Sequence, residues 1–429
     1  MSDPHRVVIL GGGFGGLSAA LRLKRAPVQV TLIDRCNYHL FQPLLYQVAT
    51  GSLSPANISS PLRTILKDHR NAQVLLGEAT GVDAAKRQVI LSDGKIDYDT
   101  LIVATGSSHQ YFGHHEWEQF APGLKTIEDA TDMRRRILLA FETAERETDP
   151  EKLRMLMTFV IVGGGPTGVE LAGALAEIAN DTLRRDFRHI DPSSARIFLV
   201  EGGDRLLPSY PPKLSAAAQK MIERLGVTVR TGAMVTNIEK DLVTVRQGDA
   251  TEMYATRTIL WAAGVLGSPV ARSVAQQTGA PIDSAGRISV EPDCSVPGHP
   301  EIFVIGDLAL FTHQEGGKPL PGVAQPAIQE GHYVARAITR RLRGEPAKPF
   351  HYFDKGNLAV IGRAKAEADL NWLQISGVPA WLIWIFIHLL YIVEFQNRIL
   401  VFLQWAWFYV TFDRSARLIT GKNPLPLDL

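Results

Sequence analysis

Two glycine-rich turns, each followed by an acidic residue, are the features of this chain with the clearest chemistry. In a G-x-G-x-x-G turn the first glycine permits a tight bend, the second lets a pyrophosphate approach the backbone, and the third lets a helix pack on a strand. The free N–H groups at the helix start then face the phosphates. Two such turns predict two bound dinucleotides and electron transfer between them. The glycines of the two patterns are Gly11, Gly13 and Gly16, and Gly163, Gly165 and Gly168.

An acid ends a second apolar run after each turn. Asp34 follows the run 30–33, and Glu201 follows the run 197–200. A carboxylate at this position accepts a hydrogen bond from a ribose 2′-hydroxyl and repels a 2′-phosphate. The second turn therefore favours NADH over NADPH, although Arg205 lies close enough in sequence to weaken that preference. A glycine-rich turn without a ligand is the alternative, and the recurrence of strand, helix and acid in both copies disfavours it.

The elements that must position these turns follow from the apolar runs. Residues 101–106 predict a buried strand that ends in Ala104, Thr105 and Gly106, and residues 258–264 repeat that pattern. Residues 302–307 predict another buried strand that ends in Asp307. Residues 89–98 predict a hairpin, 126–155 a charged helical region and 227–254 short antiparallel strands. Residues 37–51 are too apolar and aromatic for a solvated loop, so we expect them to line a site.

Bulk composition limits the class of protein. A chain of 429 residues predicts two or three domains, and 45 basic against 44 acidic residues give no sign of nucleic-acid binding. Cys36 and Cys294 form neither a disulfide scaffold nor a metal-ligand pattern, so we expect a reducing compartment and no metal. An apolar strand is predicted within the first few residues, so we expect no signal peptide.

The order of these elements resembles the two-dinucleotide-binding flavoprotein superfamily and, within it, the type II NADH:quinone oxidoreductases. Three further segments support the narrower resemblance: 37–51, the A-Q-x-A-x-Q pattern in 324–331 and the D-K-G block in 350–363. The hydrophobic C-terminal extension is also similar to that family. The resemblance implies an α/β fold with two Rossmann-like dinucleotide-binding domains and C-terminal amphipathic membrane-associating helices. The implied domains are a discontinuous FAD domain at 1–115 and 266–345, an inserted NADH domain at 116–265 and a membrane-associating region at 346–429.

The resemblance also implies the reaction and its residues. Hydride passes from NADH to FAD, and two electrons pass on to a membrane quinone, ubiquinone or menaquinone, without proton pumping. The residues that the resemblance places at FAD are Gly11, Gly13, Phe14, Gly15, Gly16, Asp34, Arg35, Ala79, Ala104, Thr105, Gly106, Asp307, Ala324 and Gln325. Those that it places at NADH are Gly163, Gly165, Thr167, Gly168, Glu170, Glu201 and Gly264. Its implied catalytic residues are Glu170, Gln325, Gln329 and Lys355.

Each of these roles has a structural alternative. Glu170 in the first turn of a helix is also stabilised there by the helix dipole alone. Gln325 and Gln329 share one helix face and can bond quinone carbonyls without adding charge, or can bond the backbone. Lys355 can stabilise a reduced anion, or can bond loop carbonyls. Asp307 can bind the flavin, or it can simply cap the end of its strand.

The C-terminal region predicts attachment to a membrane surface. Residues 370–393 contain no charged side chain, but the clean run 380–393 is shorter than the roughly 20 residues of a spanning helix. A second apolar run bears polar residues at every seventh position, and we expect five aromatic residues at the headgroup level. These runs predict interfacial helices on the cytoplasmic face of the membrane, with arginines near anionic lipid, in a homodimer. A buried dimer interface and a single spanning helix are the alternatives. The polar residues are Asn397, Gln404 and Thr411, the aromatic ones Trp381, Trp384, Trp405, Trp407 and Tyr409, and the arginines Arg336, Arg340, Arg341 and Arg343.

Two other classes of function remain open from the sequence. One is another membrane-associated NAD(P)H flavoprotein reductase, and the other is a flavin redox sensor that does not turn over. A disulfide reductase or a sulfide-oxidising enzyme of the superfamily needs a pair of redox cysteines, which the isolated Cys36 and Cys294 do not supply.

Overall fold

The computed structural model describes residues 4–421, so the outer ends of the predicted first and last domains, 1–3 and 422–429, lie outside the described residues. Contacts divide the chain into two compact units. The first unit comprises the residues up to Leu40, Ser59–Ser108 and Val265–Asp354. The second comprises Phe41–Ile58, His109–Gly264 and the residues from Lys355 onward.

The strands are short, as expected for runs of β-branched residues between turns. In chain order they are β1 (His5–Leu10), β2 (Val28–Asp34), β3 (Tyr38–Leu40), β4 (Ser59–Pro61), β5 (Ala72–Leu76), β6 (Ala79–Asp83), β7 (Gln88–Leu91), β8 (Gly94–Asp97), β9 (Thr100–Val103), β10 (Ser107–His109), β11 (Thr158–Val162), β12 (Arg196–Val200), β13 (Val227–Arg230), β14 (Ala233–Glu239), β15 (Leu242–Gln247), β16 (Ala250–Ala255), β17 (Thr258–Trp261), β18 (Val265–Gly267), β19 (Ile288–Ser289), β20 (Ser295–Val296), β21 (His299–Val304), β22 (Ala309–Leu310), β23 (Asn357–Gly362), β24 (Lys365–Asp369) and β25 (Gln374–Ser376).

The α-helices alternate with these strands over most of the chain and end it as a pair. They are α1 (Phe14–Arg22), α2 (Leu45–Ala49), α3 (Leu62–Ile65), α4 (Ile127–Ala144), α5 (Pro150–Leu156), α6 (Pro166–Glu177), α7 (Pro212–Arg224), α8 (Val270–Thr278), α9 (Ala324–Arg341), α10 (Val378–Tyr391) and α11 (Phe395–Thr411).

The first unit is built on a six-stranded sheet in the order β20-β21-β9-β1-β2-β5. Strands β21, β9, β1, β2 and β5 run parallel. Strand β9 pairs with β1 at Leu10↔Val103 and with β21 at Val304↔Val103, so these three strands end at the same level. Their side chains are buried on both faces, as parallel sheets covered by helices require. The first glycine turn and Asp307 therefore follow the two strands that flank β9, at the carboxyl edge of one sheet.

The second unit repeats this arrangement with a four-stranded parallel sheet in the order β13-β12-β11-β17. Val162 pairs with both Trp261 and Val200, so the second glycine turn, residue 262 and Glu201 follow adjacent strand ends. The antiparallel strands β14, β15 and β16 pack beside it around a core that includes Phe198, Val243 and Trp261. The predicted duplication of strand, turn, helix and acid is confirmed by these two sheets.

Several local predictions are confirmed with small changes of boundary. The hairpin predicted at 89–98 is the antiparallel pair β7 and β8. The helical region 126–155 is α4 and α5, and α4 begins at a capping box in which the Thr126 side chain accepts from the Asp129 backbone N–H. The segment 37–51 contains β3 and α2, and most of its apolar side chains are buried.

The C-terminal helices α10 and α11 present apolar side chains to solvent. Exposed residues include Phe386, which is 66% exposed, and Val410, which is 79% exposed. Trp384 and Trp405 are instead buried against each other, with ring centroids 5.2 Å apart, so their predicted place at the headgroup level is wrong. Their indole rings fill the interior of the second unit because they are the largest apolar groups on the inward faces.

Two of the three predicted polar positions of α11 face inward, whereas Thr411 is exposed. Asn397 is buried, and the side-chain oxygen of Gln404 is buried as well. The outward face carries exposed large apolar side chains, among them Phe402, Leu403 and Trp407, which is unusual for a helix on a soluble protein. Among residues 4–421, no helix combines the length and the hydropathy of a membrane-spanning segment.

Candidate active site

The first glycine turn is shaped by contacts that exclude a side chain. Gly11 has φ +98°, and a Cβ there would lie 2.4 Å from the carbonyl oxygen of Ala104. A Cβ on Gly16 would lie 1.9 Å from the carbonyl oxygen of Gly11. A Cβ on Gly13 meets no heavy atom within 4 Å. Glycine is therefore needed at the two outer positions for packing, while Gly13 faces open space where another group can approach the backbone.

Asp34 closes this turn from the end of β2. Its Oδ2 accepts a hydrogen bond from the Gly12 backbone N–H at 2.6 Å, and its Oδ1 accepts from the Cys36 N–H at 2.7 Å. Burial raises the pKa of this carboxyl group, although the two backbone donors oppose the increase. A carboxylate has about four acceptor sites, so Asp34 retains capacity for a ribose hydroxyl.

The second glycine turn has the same geometry. Gly163 has φ +109°, and its Cβ would lie 2.7 Å from the carbonyl carbon of Ala262. A Cβ on Gly168 would lie 1.8 Å from the Gly163 oxygen, and one on Gly165 meets no heavy atom within 4 Å. Both turns thus combine two blocked positions with one open position.

Glu201 closes the second turn as Asp34 closes the first. Its Oε2 accepts from the Gly164 N–H at 2.5 Å, and its Oε1 accepts from the Gly203 N–H at 2.6 Å. The guanidinium group of Arg205 donates to the carbonyl oxygen of Pro208 at 2.9 Å. That contact directs the cation to the loop backbone, which leaves the acid as the charged group at the end of β12.

Asp307 lies in the short turn Gly306–Leu308, just beyond β21. Its Oδ2 accepts a hydrogen bond from the Ser107 hydroxyl group at 2.5 Å. The Gly306 backbone N–H donates to Glu330 Oε2 on α9 at 2.6 Å. A Cβ on Gly331 would lie 2.3 Å from the Gly15 oxygen, so α9 packs directly on α1 at this level. The first turn, Asp307 and the start of α9 are therefore parts of one site in the first unit.

The two glutamines of α9 differ in their partners. Gln325 Oε1 is buried and has no hydrogen-bond partner among the described residues. Gln329 Nε2 donates to the Phe353 carbonyl oxygen at 2.9 Å, and its Oε1 accepts from the Phe353 N–H at 3.0 Å. The Gln329 amide thus makes two hydrogen bonds with the backbone, which is the alternative to a quinone-binding role. Gln325 keeps an unused hydrogen-bond acceptor.

The remaining predicted residues of the first unit lie at scattered positions. Phe14 begins α1 and packs edge-on against His39, with ring centroids 5.2 Å apart. Arg35 is exposed, and Ala79 begins β6. All residues predicted for FAD belong to the first unit, and all those predicted for NADH belong to the second.

Glu170 lies on the first turns of α6 and is only 9% exposed. Its Oε1 lies 3.5 Å from the Val360 backbone N–H, at the limit of a hydrogen bond. Burial raises the pKa of Glu170 well above its ordinary value, which favours the neutral form of the carboxyl group. Glu170 borders a cavity of about 30 Å³ that Tyr46 and Gln47 also line. The prediction that segment 37–51 lines a site is consistent with this cavity.

A buried ion pair lies beside Glu170. Arg414 Nη2 donates to Glu177 Oε2 at 3.0 Å, and Arg414 Nη1 donates to the Thr50 carbonyl oxygen at 3.2 Å. Glu177 Oε1 also accepts from the Arg363 N–H at 2.6 Å. The side chains are 1% and 11% exposed. This pair joins α6 to the segment that follows α11, so Arg414 is part of the second unit's interior.

Lys355 is exposed and lies against α10. Its Nζ donates to the Tyr391 hydroxyl oxygen at 2.9 Å and lies 5.6 Å from the centroid of the Tyr391 ring. Thr167 is exposed at the start of α6, and a Cβ on Gly264 would lie 2.7 Å from the Phe112 ring. Lys355 therefore contacts a helix of the C-terminal pair rather than loop carbonyls.

Sequence reasoning missed two groups of this region. Glu330 directly follows the A-Q-x-A-x-Q pattern without belonging to it, and neither Glu177 nor Arg414 lies in a recognisable motif. An acid on a helix and an arginine after an apolar run give the same sequence signal whether they are solvated or buried. Only a chain that returns over a separation of 237 residues brings Glu177 and Arg414 together.

Comparison with known families identifies the chain. Residues 5–331 match the pyridine nucleotide-disulphide oxidoreductase family, and residues 355–413 match the NDH2 C-terminal domain. The chain is 46% identical to the type II NADH:quinone oxidoreductase Ndh of Mycobacterium tuberculosis over 427 residues, which cover 98% of this chain and 91% of the relative. It is 45% identical to the type II NADH:quinone oxidoreductase NdhA of the same organism, with 97% and 90% coverage.

A solved structure shares the fold. The structure of NDH2 from Plasmodium falciparum in complex with NADH superposes with a TM-score of 0.86 and 21% sequence identity, covering 94% of this chain and 98% of that chain. Full-length identity, both family matches and the duplicated glycine turns agree, and so the chain belongs to the pyridine nucleotide-disulphide oxidoreductase family and, within it, to the type II NADH:quinone oxidoreductases.

Proposed function

We propose that this protein oxidises NADH through a bound FAD and reduces a membrane quinone, without pumping protons. The observation that supports this most strongly is the pair of glycine turns, each with an open central glycine and a closing acid, in a chain that is 46% identical to a type II NADH:quinone oxidoreductase. The domain division of the sequence analysis, with FAD at the first turn and NADH at the second, belongs to this proposal.

The first unit fits FAD by the chemistry of its free groups. The open face of Gly13 and the N–H groups at the start of α1 suit a pyrophosphate, and the spare acceptor sites of Asp34 suit a ribose. Asp307 at the strand end suits the ribityl chain. The flavin supplies the hydride-accepting chemistry when it is bound, while these side chains orient it and tune its charge.

The second unit fits NADH in the same way. Glu201 carries negative charge at the ribose position, and one guanidinium nitrogen of Arg205 is engaged by the Pro208 carbonyl oxygen. This arrangement supports a preference for NADH over NADPH. Thr167, Gly168 and Gly264 belong to the same proposed site.

We assign Glu170 the role of a neutral hydrogen-bonding group beside the nicotinamide. A protonated carboxyl group can donate to a carboxamide or a flavin carbonyl without placing a charge in an apolar pocket. Its burial and raised pKa support this role over a simple contribution to the helix dipole.

We place the quinone head group at Gln325, whose buried oxygen is an unused acceptor for a quinol hydroxyl. The Gln329 amide must break its two hydrogen bonds with the Phe353 backbone before it can contact the quinone. In this structure it holds the segment before residue 354 in place. Lys355 contributes positive charge, which stabilises a reduced anion.

We also propose that α10 and α11 lie on the cytoplasmic face of a membrane and that the enzyme is a homodimer. The outward apolar face of both helices supports a monotopic attachment, because such a surface is costly in water and gains free energy in the headgroup region. Attachment gives access to a quinone dissolved in lipid. Arg336 and Arg343 are exposed and suit anionic lipid, whereas Arg341 is engaged with Asp293.

The direct test is anaerobic reduction of the purified protein by NADH, followed by addition of a short-chain ubiquinone, with the flavin absorbance band as readout. Bleaching by NADH and rapid recovery with quinone are expected. Bleaching without recovery would exclude quinone as the acceptor and favour a reductase of another acceptor or a redox sensor. Gln325→Ala should bleach normally and recover slowly, while Gln276→Ala, an exposed glutamine on α8, should match the wild type.

A further inference from the structure

Glu330 is a buried acid that the proposed reaction does not use. It lies on α9 and is 1% exposed, and its Oε2 accepts the Gly306 N–H at 2.6 Å. Gly306 has φ +71° and precedes Asp307, the residue assigned to the flavin. The Glu330 carboxyl group is therefore one residue removed from the flavin ligand and fixes the backbone that carries it.

No cation compensates this acid among the described interactions. Burial, with repulsion from the neighbouring Asp307 carboxylate, raises the pKa of Glu330 to about 8, and the Gly306 N–H opposes the increase. Cys294, in the segment before β20, is the other titratable group that interacts with it, and burial raises the pKa of that thiol well above its ordinary value. Helix α1, which packs on α9 through Gly15, has no titratable side chain before Arg22.

We propose that Glu330 is a positioning residue of the flavin site that holds the Gly306–Asp307 turn and takes up a proton when negative charge develops at the bound flavin. This inference rests on the proposed binding of FAD in the first unit. Above about pH 8, where the Glu330 carboxyl group is ionised, the electrons come from NADH and the additional proton comes from water, which converts the Glu330 carboxylate to the neutral acid. Because two acids and a reduced flavin would otherwise repel one another, protonation of the least solvated acid relieves the charge.

The measurement is the midpoint potential of the bound flavin from mildly acidic to alkaline pH in the wild type, Glu330→Gln and Glu315→Gln. Glutamine still accepts the Gly306 N–H but does not ionise, and Glu315 is an exposed acid of the same unit. We expect the potential of the wild type and of Glu315→Gln to change slope near pH 8, and that of Glu330→Gln to lack this inflection. A purely structural role would lower flavin affinity without altering the pH profile.

Two outcomes overturn the proposal. One is a wild-type profile without an inflection, and the other is an inflection that Glu330→Gln retains. If Glu330→Gln does not bind flavin, the proposal is tested by the wild-type pH profile and by Glu330→Asp. Because Asp keeps an ionisable group, Glu330→Asp must restore both flavin binding and the inflection. Failure of the proposed function is distinguishable, since a wild-type protein without a flavin absorbance band would remove the FAD site itself.

Discussion

The buried pair of Glu177 and Arg414 allows a quantitative test of how the chain end is held. The guanidinium group is inaccessible and makes two charge-assisted contacts, at 3.0 Å with Glu177 and at 3.2 Å with the Thr50 carbonyl oxygen. It also lies over the Phe408 ring, 4.8 Å from the centroid. Replacing Arg414 by Met removes these contacts and leaves the Glu177 carboxylate buried without its counter-ion.

The expected cost follows from the burial. Removal of one partner of a buried pair costs about 3–5 kcal/mol, because the remaining charge has lost both water and its partner. Arg414→Met should approach the lower limit, because Glu177 keeps the Arg363 N–H and can take up a proton. Glu177→Gln leaves the Arg414 guanidinium group buried without its counter-ion, and this group does not lose its charge. The double variant should be less destabilised than the sum of the single variants by about 2 kcal/mol.

Tryptophan fluorescence during urea unfolding is a suitable assay, since all seven tryptophans lie in the second unit. The control is Arg230→Met in the same unit, which breaks a pair with Glu252 whose side chains are 35% and 45% exposed. An exposed pair contributes about 0–1 kcal/mol. Under native conditions we expect neither Arg414→Met nor the control variant to lose bound flavin.

The reasoning would be refuted if Arg414→Met destabilised the tryptophan transition no more than Arg230→Met does. Additive effects of the two single variants would also contradict it, because they would show that Glu177 and Arg414 do not interact in solution. Deletion of residues after Gly377 removes Arg414 together with Trp384 and Trp405, so we expect such a truncation to unfold the second unit rather than merely release it from membranes.

Three further predictions concern single side chains. Gly11→Ala should abolish flavin binding because its Cβ meets backbone at positive φ, whereas Gly94→Ala, which has open space, should keep the wild-type ratio of flavin to protein absorbance. Glu201→Gln should narrow the ratio of kcat/KM for NADH over NADPH, and an unchanged ratio would place that preference elsewhere. Burial raises the pKa of Glu367 from 4.5 to about 7, so the folded state retains a proton that the unfolded state releases. Wild-type Tm should therefore fall as pH rises through this window, and Glu367→Gln, which keeps the bond from Ser376, should show a smaller fall because other buried acids still contribute; parallel Tm curves would contradict this.

Local chemistry explains the predictions that succeeded. A tight turn at positive φ needs glycine wherever it occurs, and a run of β-branched residues favours a strand in most surroundings. The two turns, the neighbouring strand ends and the position of Asp307 therefore follow from short segments. The same argument explains why the hairpin of β7 and β8 was predicted correctly.

The failures concern orientation, which short segments do not encode. Trp384 and Trp405 lie on strongly apolar helices, and the narrow polar stripe of α11 does not distinguish inside from outside, because Asn397 and the Gln404 oxygen are themselves buried. Contact with residues 41–58 decides it: Trp405 donates its indole N–H to Gln47 Oε1 at 2.7 Å. The sequence predicts amphipathic helices in this region. It does not predict which of their aromatic residues are buried.

The sequence by itself determined two dinucleotide-binding turns, their closing acids and the family to which the chain belongs, because glycine conformation and strand propensity act over a few residues. The tertiary structure alone decided that Glu330 lies beneath the Gly306–Asp307 turn and that Arg414 enters the interior beside Glu177. Burial and pairing depend on which distant segments meet, and the free energy of a charge is set by those neighbours and by the exclusion of water, not by its own place in the chain.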